Sequence, residues 1–215
     1  MSVAWLFPGQ GSHSIGMAMG WADRSPAARA ALDESVEILD GDDLPALMAE
    51  GPFEELHDTY NQQPSLLVAG VATMRAVRDE IPAPSFVAGH SLGEYGAYVA
   101  AEAMSYPDAL RLVRERARLM KEAGDATPGG MAAILGMEDE AVEAVCRELE
   151  GVQVANYNAP GQVVISGEKP AVDAASEILK ERGAKRVIPV RITVAAHSHL
   201  MAACAARFNE VADAT

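Results

Sequence analysis

The spacing of apolar and polar positions divides the chain into short buried strands separated by amphipathic helices. Residues 3–7 (VAWLF) form an apolar run that stops at Pro8-Gly9, and residues 85–89 (SFVAG) form a second, so both predict buried strands. Between them, 26–40 and 43–50 carry helical spacing and end at Gly41 and Gly51. Residues 64–80 predict a long helix with Pro64 in its first turn. Residues 92–102 are a small-residue helical segment that packs closely, and 107–124 are a helix bounded by Pro107 and Gly124.

The period changes after Pro128. Strands are predicted at 130–136, 152–157, 162–167 and 186–194, with Asn158-Ala159-Pro160-Gly161 as the turn between the second and third. Helices are predicted at 138–150 and 170–182, the latter opened by Pro170 and closed by Gly183. This βαββαβ order is the ferredoxin-like arrangement. The preceding βα-rich segment suits a mostly parallel, doubly wound sheet. The expected fold is therefore α/β: a large, hydrolase-like domain at 1–127 and 196–215, and a ferredoxin-like small domain inserted at 128–195. Neither internal repeats nor low-complexity tracts interrupt it.

Composition narrows the function classes. With 49% hydrophobic and 22% charged residues among 215, the chain has material for a core without disulfide staples. Its two cysteines, Cys146 and Cys204, sit in no CxxC or metal pattern and read as small buried hydrophobes in a reducing compartment. A net charge of -14 repels phosphate backbones and anionic membranes, so neither nucleic acid nor membrane is an expected partner. No run reaches the roughly 18 apolar residues that span a bilayer. The start, MSVAWLFPGQG, lacks a basic region and a small-residue cleavage site, so it does not read as a signal peptide. The expectation is a cytoplasmic monomer.

Candidate chemistry centres on Gly89-His90-Ser91-Leu92-Gly93, a GxSxG pentapeptide between a predicted strand and a helical segment. In that setting it reads as a nucleophile elbow: the glycines permit a sharp turn that pushes the serine hydroxyl outward. By itself the pattern is a common glycine turn, and its context favours the nucleophile. The Leu92 amide and the following helix N-terminus face the same space and can hold an oxyanion. A serine hydroxyl needs a base, usually histidine. His13 lies in a glycine-serine loop, His57 on a helix read as surface, and His90 within the elbow but pointing away from Ser91. His197 and His199 remain, both where the chain re-enters the large domain. A second turn, Phe7-Pro8-Gly9-Gln10-Gly11-Ser12, follows the first strand, and its Gln10 amide is a second candidate oxyanion donor. It is not a phosphate loop, because no Gly-Lys-Ser/Thr follows.

Six strings carry a resemblance: FPGQGS (7–12), QQPSLL (62–67), GHSLGEY (89–95), GGMAAILG (129–136), NYNAPGQVVISG (156–167) and AHSHLM (196–201). Together, and in this order, they resemble malonyl-CoA–acyl carrier protein transacylases and the acyltransferase domains of fatty-acid and polyketide synthases. The resemblance implies Ser91 as the acylated residue, His197 as general base, and the Gln10 and Leu92 amides as the oxyanion hole. It further implies Arg116, in LVRERARLM, as the partner of the malonyl carboxylate; neighbouring Arg111, Arg114 and Arg118 read as a solvated helix face. The implied reaction is ping-pong, from malonyl-CoA through Ser91 to the phosphopantetheine thiol of an acyl carrier protein, without metal or organic cofactor. Lys180, Arg182, Lys185 and Arg186 are candidates for docking an acidic carrier.

Three departures stand out. His13 replaces the glutamine of the family's FPGQGSQ, and Ala196 stands where many malonyl-selective domains have an aromatic residue, which leaves substituted malonyl units open. Family members also run beyond residue 215, and that part supplies the last elements of the large domain and the carbonyl that orients the base. Two rival readings follow: a GxSxG esterase or thioesterase-type hydrolase, and a truncated, non-catalytic carrier-binding domain. The βαββαβ segment and Arg116 argue against the hydrolase.

Overall fold

The structure, a computed structural model, describes residues 2–192 and 194–214. Packing divides the chain into two compact units, Met1–Arg118 with Val211–Thr215, and Leu119–Glu210. These are units of packing.

In the first unit, strands β1 (Ala4–Phe7) and β2 (Phe86–Gly89) pair in parallel, in register from Ala4↔Phe86 to Phe7↔Gly89. Both predicted strands are present. Leu6 and Phe86 remain 76% and 69% exposed, so one apolar strip of this ladder faces out. Helices α1 (Met19–Ala22), α2 (Pro26–Ile38), α3 (Leu44–Glu50), α4 (Phe53–His57), α5 (Thr59–Val77), α6 (Gly93–Ala100) and the start of α7 (Tyr106–Ala126) complete the unit. Ser25 caps α2 by accepting from the Ala28 amide, and Asp43 caps α3 by accepting from Ala46. Helix α1 is too brief to show a period and has no counterpart in the sequence reading, whereas α4 carries His57, which that reading placed on a helix.

Helix α5 is the axis of this core. It carries no charge from Thr59 to Met74, so no face of that stretch requires water, and Leu67, Val68, Val71 and Ala72 are buried against α2, α3 and α4. It begins five residues before the predicted start, capped by Asp58, which accepts from the Tyr60 amide. Pro64 therefore lies inside the helix and not in its first turn. Proline has no N–H, so the helix supplies no i+4 donor to the Tyr60 carbonyl. Arg114, on α7, donates to that carbonyl at 2.6 Å. It also pairs with Asp42 and lies 4.1 Å over the Tyr60 ring, leaving its side chain 12% exposed. This corrects the reading of Arg114 as part of a solvated face: the carbonyl released by Pro64 draws the guanidinium inward.

In the second unit, β3 (Gly129–Leu135), β4 (Val152–Ala159), β5 (Gln162–Glu168) and β6 (Arg186–Pro189) form an antiparallel sheet in the order β4-β5-β3-β6. Strand alternation sorts the side chains. Ala132, Ile134, Val163 and Ile165 pack with α8 (Asp139–Glu148) and α9 (Lys169–Glu181). Met131 and Val164 face the other way, onto Leu119, Met120, Val194, Ala196, Met201 and Cys204. The last strand is shorter than the expected 186–194: it ends at Pro189, after which the Val190 amide still donates to the Met131 carbonyl at 2.9 Å; Thr193 lies outside the described residues. The turn after β4 is also tighter than expected, because β4 runs through Asn158 and Ala159. A 3-10 turn, His199–Met201, leads into α10 (Ala202–Ala212), which sequence reading left unassigned. The molecule is thus mixed α/β with one parallel and one antiparallel sheet. No helix among the described residues is long and apolar enough to cross a membrane.

Candidate active site

The elbow is built on the parallel strand pair. The His90 amide donates to the Phe7 carbonyl at 3.0 Å, extending the β1–β2 register by one residue. The chain then reverses at Ser91, whose φ of 53° is a left-handed conformation that costs a non-glycine residue about 1–3 kcal/mol. Both flanking glycines are required by close approach. A Cβ on Gly89 would meet the Gly93 carbonyl carbon at 2.0 Å, and one on Gly93 would meet the Phe7 carbonyl oxygen at 2.1 Å. A Cβ on Gly9 would likewise meet the His90 carbonyl oxygen at 2.7 Å. The two glycine-rich turns are therefore pressed against each other, which brings FPGQG and GHSLG to one place.

Helix α6 begins directly after Ser91. Its opening bonds run from Gly93 to the His90 carbonyl, Glu94 to Ser91 and Tyr95 to Leu92, so the amides of Ser91 and Leu92 precede the series and are not consumed by it. The Leu92 side chain is buried and anchors this turn in the core.

Arg116 donates through Nη2 to Ser91 Oγ at 3.1 Å. Its Nη1 donates to Gln63 Oε1. Gln63 Nε2 donates to Thr59 Oγ1 at 2.9 Å, and Gln10 Nε2 donates to the same hydroxyl at 2.9 Å. An unbroken polar chain thus runs from the Gln10 turn through Thr59, Gln63 and Arg116 to Ser91. Thr59, Gln62 and Gln63 are fully buried. Gln62 accepts from the Gly11 amide at 3.1 Å and donates to the His57 carbonyl at 3.0 Å, holding the same turn from a second side. Nearby, Tyr95 has its hydroxyl pushed up by burial, with the Arg116 charge opposing.

Three predicted residues, Gln10, Ser91 and Arg116, thus belong to one hydrogen-bonded chain, and Leu92 is covalently adjacent. Thr59, Gln62 and Gln63 have no role in the sequence reading, although two consecutive glutamines in the charge-free stretch from Thr59 to Met74 are a signal for them. His57 is half-buried and not a surface residue: its Nδ1 lies 3.1 Å from His13 Nε2, and Phe53 stacks on both rings. Arg118 pairs with Glu115 and Arg111 with Asp108, as befits a helix surface.

His197 belongs to the second unit and has a φ of 59°. Ser198 shapes that turn, donating to the Ala195 carbonyl at 2.8 Å and accepting from the Leu200 amide at 3.3 Å. Gln153 on β4 braces it by accepting from the His199 amide at 2.9 Å. The His199 ring lies 3.8 Å from Glu168 Oε1. Of the four cations considered for carrier docking, Lys180 is paired with Glu177 and Arg182 with Glu148. No cluster of three or more metal-ligating side chains occurs among the described residues.

Two glycine-rich turns thus present a half-buried serine hydroxyl bonded to a half-buried arginine. The acyl transferase domain family matches residues 4–215, and the chain belongs to that family. Within it, the chain is 48% identical over 216 aligned positions to the malonyl CoA-acyl carrier protein transacylase of Bacillus subtilis, covering 99% of this chain and 68% of that protein. The crystal structure of the acyl-carrier-protein S-malonyltransferase of Burkholderia pseudomallei superposes with a TM-score of 0.91 at 46% identity, covering 98% of this chain and 69% of the other. A malonyl-transacylase in complex with its type II PKS acyl-carrier protein superposes at 0.94 with 40% identity, covering 100% and 70%. The chain spans about two thirds of the length of such relatives, 65% to 68% of the curated ones.

Proposed function

We propose that this chain transfers a malonyl, or substituted malonyl, group from CoA to the phosphopantetheine thiol of an acyl carrier protein through an ester on Ser91. The observation that carries this reading is the Arg116 guanidinium at 3.1 Å from Ser91 Oγ. A malonyl ester at that oxygen ends in a carboxylate one methylene beyond its carbonyl, within reach of the same cation. An acetyl ester offers the guanidinium nothing to pair with. Relatives named as malonyl CoA-acyl carrier protein transacylases support the same substrates.

In the first half-reaction Ser91 Oγ attacks the thioester carbonyl and His197 takes its proton. Because Oγ accepts from Arg116, its own hydrogen is left to point toward a base. The Gln10 and Leu92 amides hold the oxyanion. Collapse breaks the C–S bond, and the departing CoA thiolate takes the proton from the imidazolium. In the second half-reaction the carrier's thiol passes its proton to His197 and attacks the ester. The bond to Ser91 breaks and Oγ recovers the proton. No metal or organic cofactor has a part in this scheme.

The finer architecture belongs to the same reading: a doubly wound large domain at 1–127 and 196–215 with a ferredoxin-like domain inserted at 128–195. The order β4-β5-β3-β6 with helices α8 and α9 on one face supports the inserted domain. A monomer in the cytoplasm, with Lys185 and Arg186 as carrier contacts, completes it.

Intact mass spectrometry after exposure to malonyl-CoA tests the proposal. A malonyl adduct is expected on the native chain and none on Ser91→Ala, while His197→Ala is expected to slow its formation by several orders of magnitude. Arg116→Ala is expected to lose the preference for malonyl over acetyl. Release of malonate without transfer to carrier would favour the hydrolase reading. Carrier binding without any adduct would favour the non-catalytic one.

A further inference from the structure

We infer that Thr59 is a positioning residue that orients the arginine clamp and the Gln10 turn together, an inference resting on the roles just proposed for Arg116 and Gln10. Its hydroxyl oxygen accepts from two side-chain amides, Gln10 Nε2 and Gln63 Nε2, each at 2.9 Å. The guanidinium only donates and so takes Gln63 Oε1, and the Thr59 oxygen supplies the acceptor that the inward-turned Nε2 then needs. With Nε2 held on Thr59, Oε1 is presented to Arg116, which donates to it. A flipped amide would set its NH2 against the guanidinium N–H groups, donor against donor. Thr59 and Gln63 are fully buried, so water cannot replace a lost partner. The hydroxyl thereby selects one orientation of Arg116, with Nη1 on Gln63 and Nη2 on Ser91.

The same oxygen ties down the Gln10 side chain, and with it the turn whose backbone amide is the proposed oxyanion donor. Gly11 is held independently by Gln62, so loss of Thr59 loosens the turn without releasing it. Thr59 touches neither Ser91 nor an acyl group. It acts through Gln63 and Arg116 on which acyl group is chosen, and through Gln10 on how well the oxyanion is held.

The test compares Thr59→Val, which keeps shape and removes the hydroxyl, with Thr59→Ser, which restores it. Adduct formation on Ser91 is followed with malonyl-CoA and with acetyl-CoA. Thr59→Val is expected to reduce the malonyl-over-acetyl preference about tenfold, and Thr59→Ser to stay within about twofold of the native chain. A folded Thr59→Val that keeps the native preference, while Arg116→Ala loses it, overturns the inference and leaves the clamp standing. If Arg116→Ala itself keeps the preference, the clamp reading fails instead. A second measurement needs neither turnover nor a variant. In the native chain, nitrogen-15 NMR is expected to show slow rotation of the Arg116 guanidinium and protected Gln63 amide protons. A freely rotating guanidinium or a rapidly exchanging Gln63 amide refutes the network.

Discussion

Replacing Arg114 by methionine tests whether Pro64 and Arg114 form one structural device. Pro64 leaves the Tyr60 carbonyl without its helical donor, and Arg114 supplies one at 2.6 Å. Losing the partner of a partly buried carbonyl costs about 1–3 kcal/mol. The guanidinium over the Tyr60 ring adds roughly 0.5–1 kcal/mol. The ion pair with Asp42, whose side chain is 38% exposed, adds at most about 1 kcal/mol after solvent screening. Arg114→Met should therefore destabilise the first unit by about 2–4 kcal/mol. Pro64→Ala restores an N–H four residues after Tyr60, so in that background the same substitution should cost about 1–2 kcal/mol less. Urea unfolding followed by tryptophan fluorescence is a suitable assay, because both tryptophans, Trp5 and Trp21, lie in the first unit. Additive effects, with a coupling under about 0.3 kcal/mol, would show that Arg114 does not serve the carbonyl that Pro64 frees.

Two further outcomes concern titratable groups. Burial, and then the neighbouring His57, hold His13 below its ordinary value of 6.5, so the folded state resists its protonation. The corresponding stability is present above that value and is lost as pH falls through it toward the folded value. His13→Gln should flatten the loss of stability as pH falls below about 6.5, and an unchanged pH profile would contradict the assignment. Burial pushes the Cys146 thiol up to about 11, so the thiol stays protonated near neutrality. A disulfide reagent at pH 8 should label Cys146 only as the second unit unfolds, with peptide mapping to separate it from Cys204; rapid labelling of the folded protein would refute this.

Much of this molecule is local. The strands at 3–7 and 85–89, the four strands after Pro128 and most helices follow from short-range spacing, because burial of one face writes its period directly into the chain. The elbow is local too: Gly89 and Gly93 flank Ser91 within five residues, and the left-handed turn at Ser91 is decided by its immediate neighbours. The wrong start for α5 shows the limit of such reading. A proline commonly opens a helix, and only Asp58 capping the chain six residues earlier, with Arg114 donating to the released carbonyl, lets Pro64 sit inside one. The polar chain from Gln10 to Ser91 joins residues up to 53 positions apart at one link, a separation no periodic pattern records. Side chains that are individually ordinary, a threonine, two glutamines and an arginine, acquire a shared orientation only when folding leaves their buried polar atoms protein partners in place of water. Chain-local sterics chose the elements and the nucleophile's turn; long-range hydrogen-bond satisfaction in a dry core chose which arginine turns inward to the serine and which turns to a carbonyl.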